Sequence, residues 1–393
     1  MMKRKRKLKN WVKLSLAIIL LIAGLSSAYL VINMSKTTNQ EKKGNKTNKT
    51  TSAKKIEETN ELSMVMVGDC LIHRMVYTDA KTKDNTYSFS KMFEKIKPLI
   101  DNNDLAYYNQ ESIIGGKKLG LSAYPRFNSP EEIGDNMLDL GFNLVSLANN
   151  HTMDKGEQGV TNSVNYWKTK PGVYYTGQAL SAKEKEANIK VEEVNGIKYA
   201  FFSYTTQTNG LLPPSGKEYL TNIYSDEKAK ADIEKVKGKA DFIIVSMHWG
   251  EEYQTSENAN QRKIAKYLSS LGVDLIIGAH PHVIQPVERV GDTLVFYSLG
   301  NFISAQDTDD KLTGALASIN VKKDGNKVTI SGVKINLIYT SYKYNAPYNF
   351  IIYPYSNINS QILKNYKTYY EKYKNILTKY DKDIEVVSLP NGN

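Results

Sequence analysis

Five histidines occur in the 393-residue chain: His73, His151, His248, His280 and His282. Each stands at or just beyond the end of an apolar run, in turn "MVMVGD", "LVSLANN", "FIIVSM" and "LIIGA". A lone histidine in such a place is ordinarily a satisfied core or loop residue. All five in that situation, with none in the long polar C-terminal region, point instead to one shared edge. Asp69 in "GDCLIH", Glu111 in "YNQES" and Asn149–Asn150 in "SLANNHTMDKG" end runs of the same kind. Neutral imidazole combined with carboxylate oxygen suits zinc, manganese or iron. Two such ions side by side need a carboxylate that bridges them. Together they would polarise a phosphoryl oxygen and activate water, with a nearby histidine protonating the leaving group. In "GAHPHV", His280 and His282 alternate by two, so in an extended turn one ring would face each ion.

Such an edge needs buried strands that end together. Strand patterns run over "LSMVMVGD" (62–69), "LAYYN" (105–109), "FNLVSL" (142–147), "KYAFFSY" (198–204), "DFIIVSMHW" (241–249) and "VDLIIGAH" (273–280). "TLVFYSLGNF" (293–302) and "GALASINVKK" (314–323) close the series as two more strands. Helical patterns fall between them: "FSKMFEKIKPLI" (89–100), "SPEEIGDNMLDLG" (129–141), "EQGVTNSVNYWKT" (157–169) and "NANQRKIAKYLSSLG" (258–272). In the second of these, Ser129 is the expected cap, Pro130 takes the first position and Gly141 lies past the end. This alternation predicts an α/β fold with both sheet faces covered, and such folds bind ligands beyond the carboxyl ends of their strands. The last seventy or so residues are rich in Tyr, Asn and Lys, with "YNFIIYPYS" strand-like and 360–380 helical. They are expected to cover the same domain.

The formal charge of +11 suggests nucleic-acid binding until it is located. Residues 1–60 hold fourteen Lys/Arg and three Asp/Glu, so the remaining chain has 52 − 14 = 38 basic and 41 − 3 = 38 acidic side chains. The globular part is neutral, and no basic groove for nucleic acid is implied. The cations cluster in a basic segment, 1–13, ahead of the uncharged "LSLAIILLIAGLSSAYLVINMS" (14–35). As a helix that run would be about 33 Å long, enough to cross a hydrocarbon core. The preceding cations favour a cytoplasmic N-terminus and a single pass through the cell membrane, with the main domain outside. A signal peptide cleaved near Ser26-Ser27-Ala28 is the rival; the apolar stretch continues through Ile32, which favours an uncleaved anchor. Residues 36–60 read as a solvated linker. Cys70 is the one cysteine, so no intrachain disulfide forms.

The ordered motifs "GDCLIH", "NQE", "SLANNHTMDKG", "SMHWGEEY", "GAHPHV" and "YSLGNF" resemble the bacterial poly-γ-glutamate capsule-synthesis family, CapA or PgsA. The resemblance covers about 62–305 and implies a fold similar to calcineurin-like metallophosphoesterases, a sandwich of two sheets flanked by helices. The domain would then be 61–305, with 306–393 covering it. The resemblance implies Asp69 as first-strand ligand, Glu111 as bridging carboxylate, and Asn150 and His248 on the second of two divalent metals. His280 and His282 would divide between the ions, His151 would be the general acid, and Asp154 would orient it. Arg126 in "YPRFNSP" is similar to a Phe-Arg segment of the family and would contact an anionic substrate, with a surface ion pair as the alternative.

Three departures bear on these roles. Phosphoesterases of this fold usually carry a histidine two residues after the first aspartate. Here His73 comes four after Asp69, which leaves it between ligand and loop residue. The bridging position is Glu, one methylene longer than Asp. The family, moreover, is associated with making and exporting polymer at the membrane, which does not demand phosphoester cleavage. Capsule or poly-γ-glutamate synthesis, export or attachment, alongside other synthesis or export subunits, is therefore the leading reading. An active metal-dependent phosphoesterase or polymer hydrolase, and a metal-free tethered binding protein, stand beside it.

Overall fold

A computed structural model describes residues 60–390. The basic segment, the expected anchor and all but the last residue of the linker lie outside the described residues. No helix among the described residues is long and apolar enough to cross a membrane.

Period-two burial builds the first layer. In β1 (Glu61–Cys70), Met64 and Met66 enter one apolar cluster while Val65 and Val67 enter another. In β2 (Leu105–Asn109), Tyr107 goes one way and Ala106 and Tyr108 the other. β3 (Leu144–Ser146) and β4 (Tyr174–Thr176) continue this parallel set. A second sheet contains β5 (Glu192–Val194), β6 (Ile197–Thr205), β7 (Phe242–His248), β8 (Leu275–Ala279), β9 (Val287–Val290) and β10 (Thr293–Phe296). Its order is β5-β6-β7-β8-β10-β9, with β6, β7, β8 and β10 parallel. The chain then returns to the first sheet through β11 (Asn301–Ile303), β12 (Thr313–Asp324), β13 (Lys327–Ser341), β14 (Ile351–Pro354) and β15 (Glu385–Val386). The first sheet has the order β14-β13-β12-β1-β2-β3-β4, with β11 also on β1 and β15 on β13.

Met64, Met66, Tyr107 and Leu144 from the first sheet pack against Phe201, Ile244, Ile277 and Phe296 from the second. The first sheet's outer face meets Phe93, Ile133, Met137 and Trp167; the second's meets Ile233, Ile264 and Leu268. Strands buried on both faces must be apolar throughout, which is why they read as unbroken runs. The result is the expected α/β sandwich of two sheets flanked by helices.

Several elements differ from the sequence reading. Over 89–100 the helix covers only Ser90–Phe93, followed by a 3₁₀ turn at Lys97–Leu99. Pro98 lacks the N–H that a continuing helix needs. The next helix begins at Glu132, and Ser129 is not its cap: its hydroxyl instead bonds Ser112 Oγ at 2.8 Å. The run 293–302 is two strands in different sheets, joined through Gly300 at φ 68°. A Cβ at Gly68 would lie 1.8 Å from the Gly300 carbonyl oxygen, so β1 passes this crossing only as glycine. The longest strand among the described residues, β13, lies where the sequence reading places no strand.

Candidate metal centre

The parallel strands of both sheets deliver their carboxyl ends to one edge. Asp69 is the penultimate residue of β1, Glu111 lies two residues past β2, and Asn149–His151 follow β3. From the second sheet, His248 ends β7, and His280 and His282 follow β8. Glu111, His248 and His280 form one group whose ligand atoms all lie within 4.8 Å, and Asp69, Glu111 and His282 form a second. Glu111 is common to both. His280 and His282 sit in different groups, although the turn is not extended: both have positive φ, 99° and 58°.

Glu111 Oε1 is 3.6 Å from both His248 Nε2 and His282 Nε2. Asn150 Oδ1 reaches His248 Nε2 at 2.9 Å, so carboxylate, carboxamide oxygen and imidazole converge. Asp69 Oδ2 lies 3.4 Å from His282 Nδ1 and accepts the His280 backbone N–H at 3.1 Å. Glu111 is fully buried, and neither of its carboxylate oxygens has a hydrogen-bond partner. A buried anion without donors is costly unless a cation completes it. Burial accordingly pushes the Glu111 carboxyl well above its usual range. Burial and the neighbouring imidazoles hold His248 far below the ordinary histidine value and His280 at about 4, which keeps both neutral, as ligands must be. Burial opposes charge on His282 too, yet the Glu111 and Asp69 carboxylates raise it to about 10, so this ring carries the positive charge the two carboxylates require and would release its proton on binding a metal. This donor set fits one or two divalent cations.

Outer partners fix the rings. Asn109 Nδ2 donates to Asp69 Oδ1 at 2.8 Å and lies 3.3 Å from His248 Nδ1. Gln207 Nε2 is 3.2 Å from His280 Nε2. Asn301 Oδ1 meets His282 Nδ1 at 3.0 Å, so of the two readings open to the asparagine in "YSLGNF", support of the site or a simple turn, the contacts favour the first. Neither Glu251 nor Glu252, the carboxylates in "HWGEEY", hydrogen-bonds these rings among the described residues. Asn109 and Gln207 were not singled out from sequence, because carboxamides are ordinary residues at strand ends and in turns.

His151 stands beside the ligand groups, in neither of them. Its Nδ1 meets Asp154 Oδ2 at 2.7 Å, and Asp154 also accepts the Phe127 N–H at 2.5 Å. Asn149 shapes the turn by accepting the His151 N–H and donating to the Gln110 carbonyl. His73 is likewise in neither group. It packs edge-on to Phe127 with centroids 5.2 Å apart, and its Nδ1 lies 3.2 Å from the Ala305 N–H. Burial lowers it to about 4. Cys70 is buried, and burial with the Glu111 and Asp69 charges keeps it a thiol. Arg126 is exposed and has no ion pair among the described residues.

Comparison with known proteins agrees with the motif resemblance. Residues 63–306 match the family described as bacterial capsule synthesis protein PGA_cap. The PGA biosynthesis protein CapA of Bacillus subtilis (strain 168) is 30% identical over 275 residues, 67% of this chain and 69% of that protein. The capsule biosynthesis protein CapA of Bacillus anthracis is 30% identical over 283 residues, 70% and 67% of the two chains. Among solved structures, a putative 5'-nucleotidase from Staphylococcus aureus aligns with TM-score 0.45 and 15% identity, over 78% of this chain and 58% of that one. The calcineurin-like phosphoesterase YfkN from Bacillus subtilis gives 0.42 and 16%, over 70% and 90%. The matched family spans the residues that carry the strand-end cluster, and the chain belongs to the bacterial capsule synthesis protein family.

Proposed function

We propose that this is a capsule-biosynthesis protein anchored in the cell membrane by residues 14–35, with its main domain outside. There it acts in the synthesis, export or attachment of poly-γ-glutamate or a similar anionic polymer, alongside other synthesis or export subunits. Family membership supports the process, and the neutral balance beyond residue 60 argues against a nucleic-acid partner. The metallophosphoesterase character of the fold belongs to the same proposal.

The observation that carries a two-metal site is Glu111, shared by both ligand groups, fully buried and without a donor to either oxygen. Asp69, Glu111 and His282 would hold one ion; Glu111, His248, His280 and Asn150 would hold the other. Manganese, zinc and iron suit these ligands. Bound there, such ions supply Lewis-acid polarisation of an anionic oxygen. The chain's own residues supply the rest. Asp154 accepts from His151 Nδ1 and fixes the ring, leaving Nε2 as the nitrogen that exchanges a proton with a leaving group. That pair favours a second reading, an active metal-dependent phosphoesterase or polymer hydrolase.

Metal analysis of the purified full-length chain tests the core of the proposal, with a model phosphodiester and a γ-glutamyl substrate assayed on the same sample. Two equivalents of a divalent metal are expected, falling sharply in Glu111→Ala and unchanged in His151→Ala. Metal no higher than trace in the wild type overturns the site. Turnover that falls by about two to four orders of magnitude in His151→Ala selects the hydrolase reading. Weak or no turnover, with loss of polymer on gene deletion, selects the capsule-assembly reading.

A further inference from the structure

A cleft of about 640 Å³ opens beside the His151–Asp154 pair, with Asp154 itself in its wall. Arg126, Lys155, Glu157, Leu211, Leu212 and Pro214 line it. Its two carboxylates each bond within the protein, with Asp154 Oδ1 alone buried and without a partner. Asp154 Oδ2 is held by His151 and by the Phe127 N–H, and both oxygens of Glu157 accept Lys217 Nζ at 2.6 Å. Its two cations have no carboxylate partner among the described residues. Counting Lys217 with its partner Glu157, three cations stand against two carboxylates around the cleft, a balance of 3 − 2 = +1 next to His151, although the domain as a whole is neutral. The rest of its lining includes aliphatic side chains, and Leu212 among them is 70% exposed. A single exposed leucine needs no explanation, but one that lines the same cleft as two unpaired cations does.

We propose that this cleft is a binding subsite for a chain that alternates carboxylates with methylene stretches. Arg126 and Lys155 each take a carboxylate, and Leu211, Leu212 and Pro214 pack on the aliphatic part between. Guanidinium recognises carboxylate in bidentate fashion, and lysine serves as a point charge. A polyphosphate would satisfy the cations but has no methylenes to offer Leu212, so the observations favour the carboxylate polymer. The assignment rests on the reading that the neighbouring centre serves an anionic polymer, and it gives that reading a residue-level path to His151.

Binding of a fluorescently labelled γ-linked oligoglutamate to the full-length chain, followed by anisotropy, is the test. Arg126→Ala/Lys155→Ala is expected to weaken binding by about tenfold or more, and added salt to weaken the wild type. Leu212→Ser is expected to weaken the oligoglutamate but not a polyphosphate of equal charge. Lys217→Ala leaves both cations in place and frees the Glu157 charge into the cleft, so it too is expected to weaken binding. Wild-type affinity in the double variant, or polyphosphate bound as tightly as oligoglutamate, overturns the proposal. Metal content measured on the same samples separates the two ideas. Arg126-dependent binding by a chain that lacks metal upholds the cleft while the metal centre fails.

Discussion

Asn301 shows how much of the centre depends on residues that are not ligands. Its Oδ1 meets His282 Nδ1, while four acceptors surround its amide nitrogen, the nearest being Gln306 Oε1 and the Lys311 carbonyl at 2.8 Å. So held, the carboxamide cannot turn away, and it aims His282 Nε2 at Glu111. Outer-shell partners of this kind are typically worth about 10–100-fold in metal affinity. Asn301→Ala is expected to lower affinity by that factor in a competitive chelator titration, without unfolding the protein; unchanged affinity would refute the role. The ionisable members of the cluster were legible in the sequence because histidine and acid at strand ends are uncommon. Of their amide partners, Asn301 was open to that reading and Asn109 and Gln207 were not. Nothing in "YNQES" or "TQTNG" separates a ring-orienting Asn109 or Gln207 from an ordinary turn residue.

At the scale of elements, Asp274 ties the start of β8 to β7: its Oδ2 accepts the Ile243 N–H at 2.7 Å. Burial raises its carboxyl to about 6, with the Ile243 bond opposing and Asp292 adding to the rise. The folded chain therefore holds this proton up to about pH 6, whereas the unfolded chain releases it near 3.8. Between those values the native state binds more protons, so the Asp274 contribution to stability falls as pH rises through the window. Asp274→Asn stays neutral and still accepts from Ile243. It should melt higher than the wild type at pH 8, with the gap closing at pH 4; a constant gap in thermal melts would contradict this. The same scale explains the strands that the sequence did not disclose. In β13, Ile330 faces the inter-sheet core and so do Ile335 and Leu337, a change from even to odd positions. The register slips opposite Ser318–Asn320, where Gly332 has φ 60°. A bulge resets the period-two pattern, which hides the strand from a search for alternation. The 293–302 run failed in the opposite way. Both of its halves are buried, every residue from Thr293 to Phe302, and sequence alone does not mark the change of sheet.

The molecule as a whole does not end where its chemistry-bearing motifs end. β12 pairs β1 from Glu61 to Met66, and Ala315, Ala317, Ile319 and Val321 fill the core between the sheets. A chain stopped at residue 305 would expose the β1 edge and uncover that core, and exposed apolar edges aggregate. Such a fragment is expected to lack a cooperative thermal transition and to run as aggregates in size-exclusion chromatography. A soluble monomer melting near the intact chain's temperature would show the last strands to be dispensable. The two sheets meet at the site edge through more than apolar packing: Tyr107 bonds Ser246 and Ser146 bonds Ser203 across the gap. Above those bonds, Asp69, Glu111 and Asn150 come from one sheet and His248, His280 and His282 from the other. An ion held there is a rivet through the seam. Loading the centre would then be a folding event as much as a chemical one, since the free energy of holding the ion would add to that of keeping the sheets together. Removing the ion would loosen the very edge that carries His151.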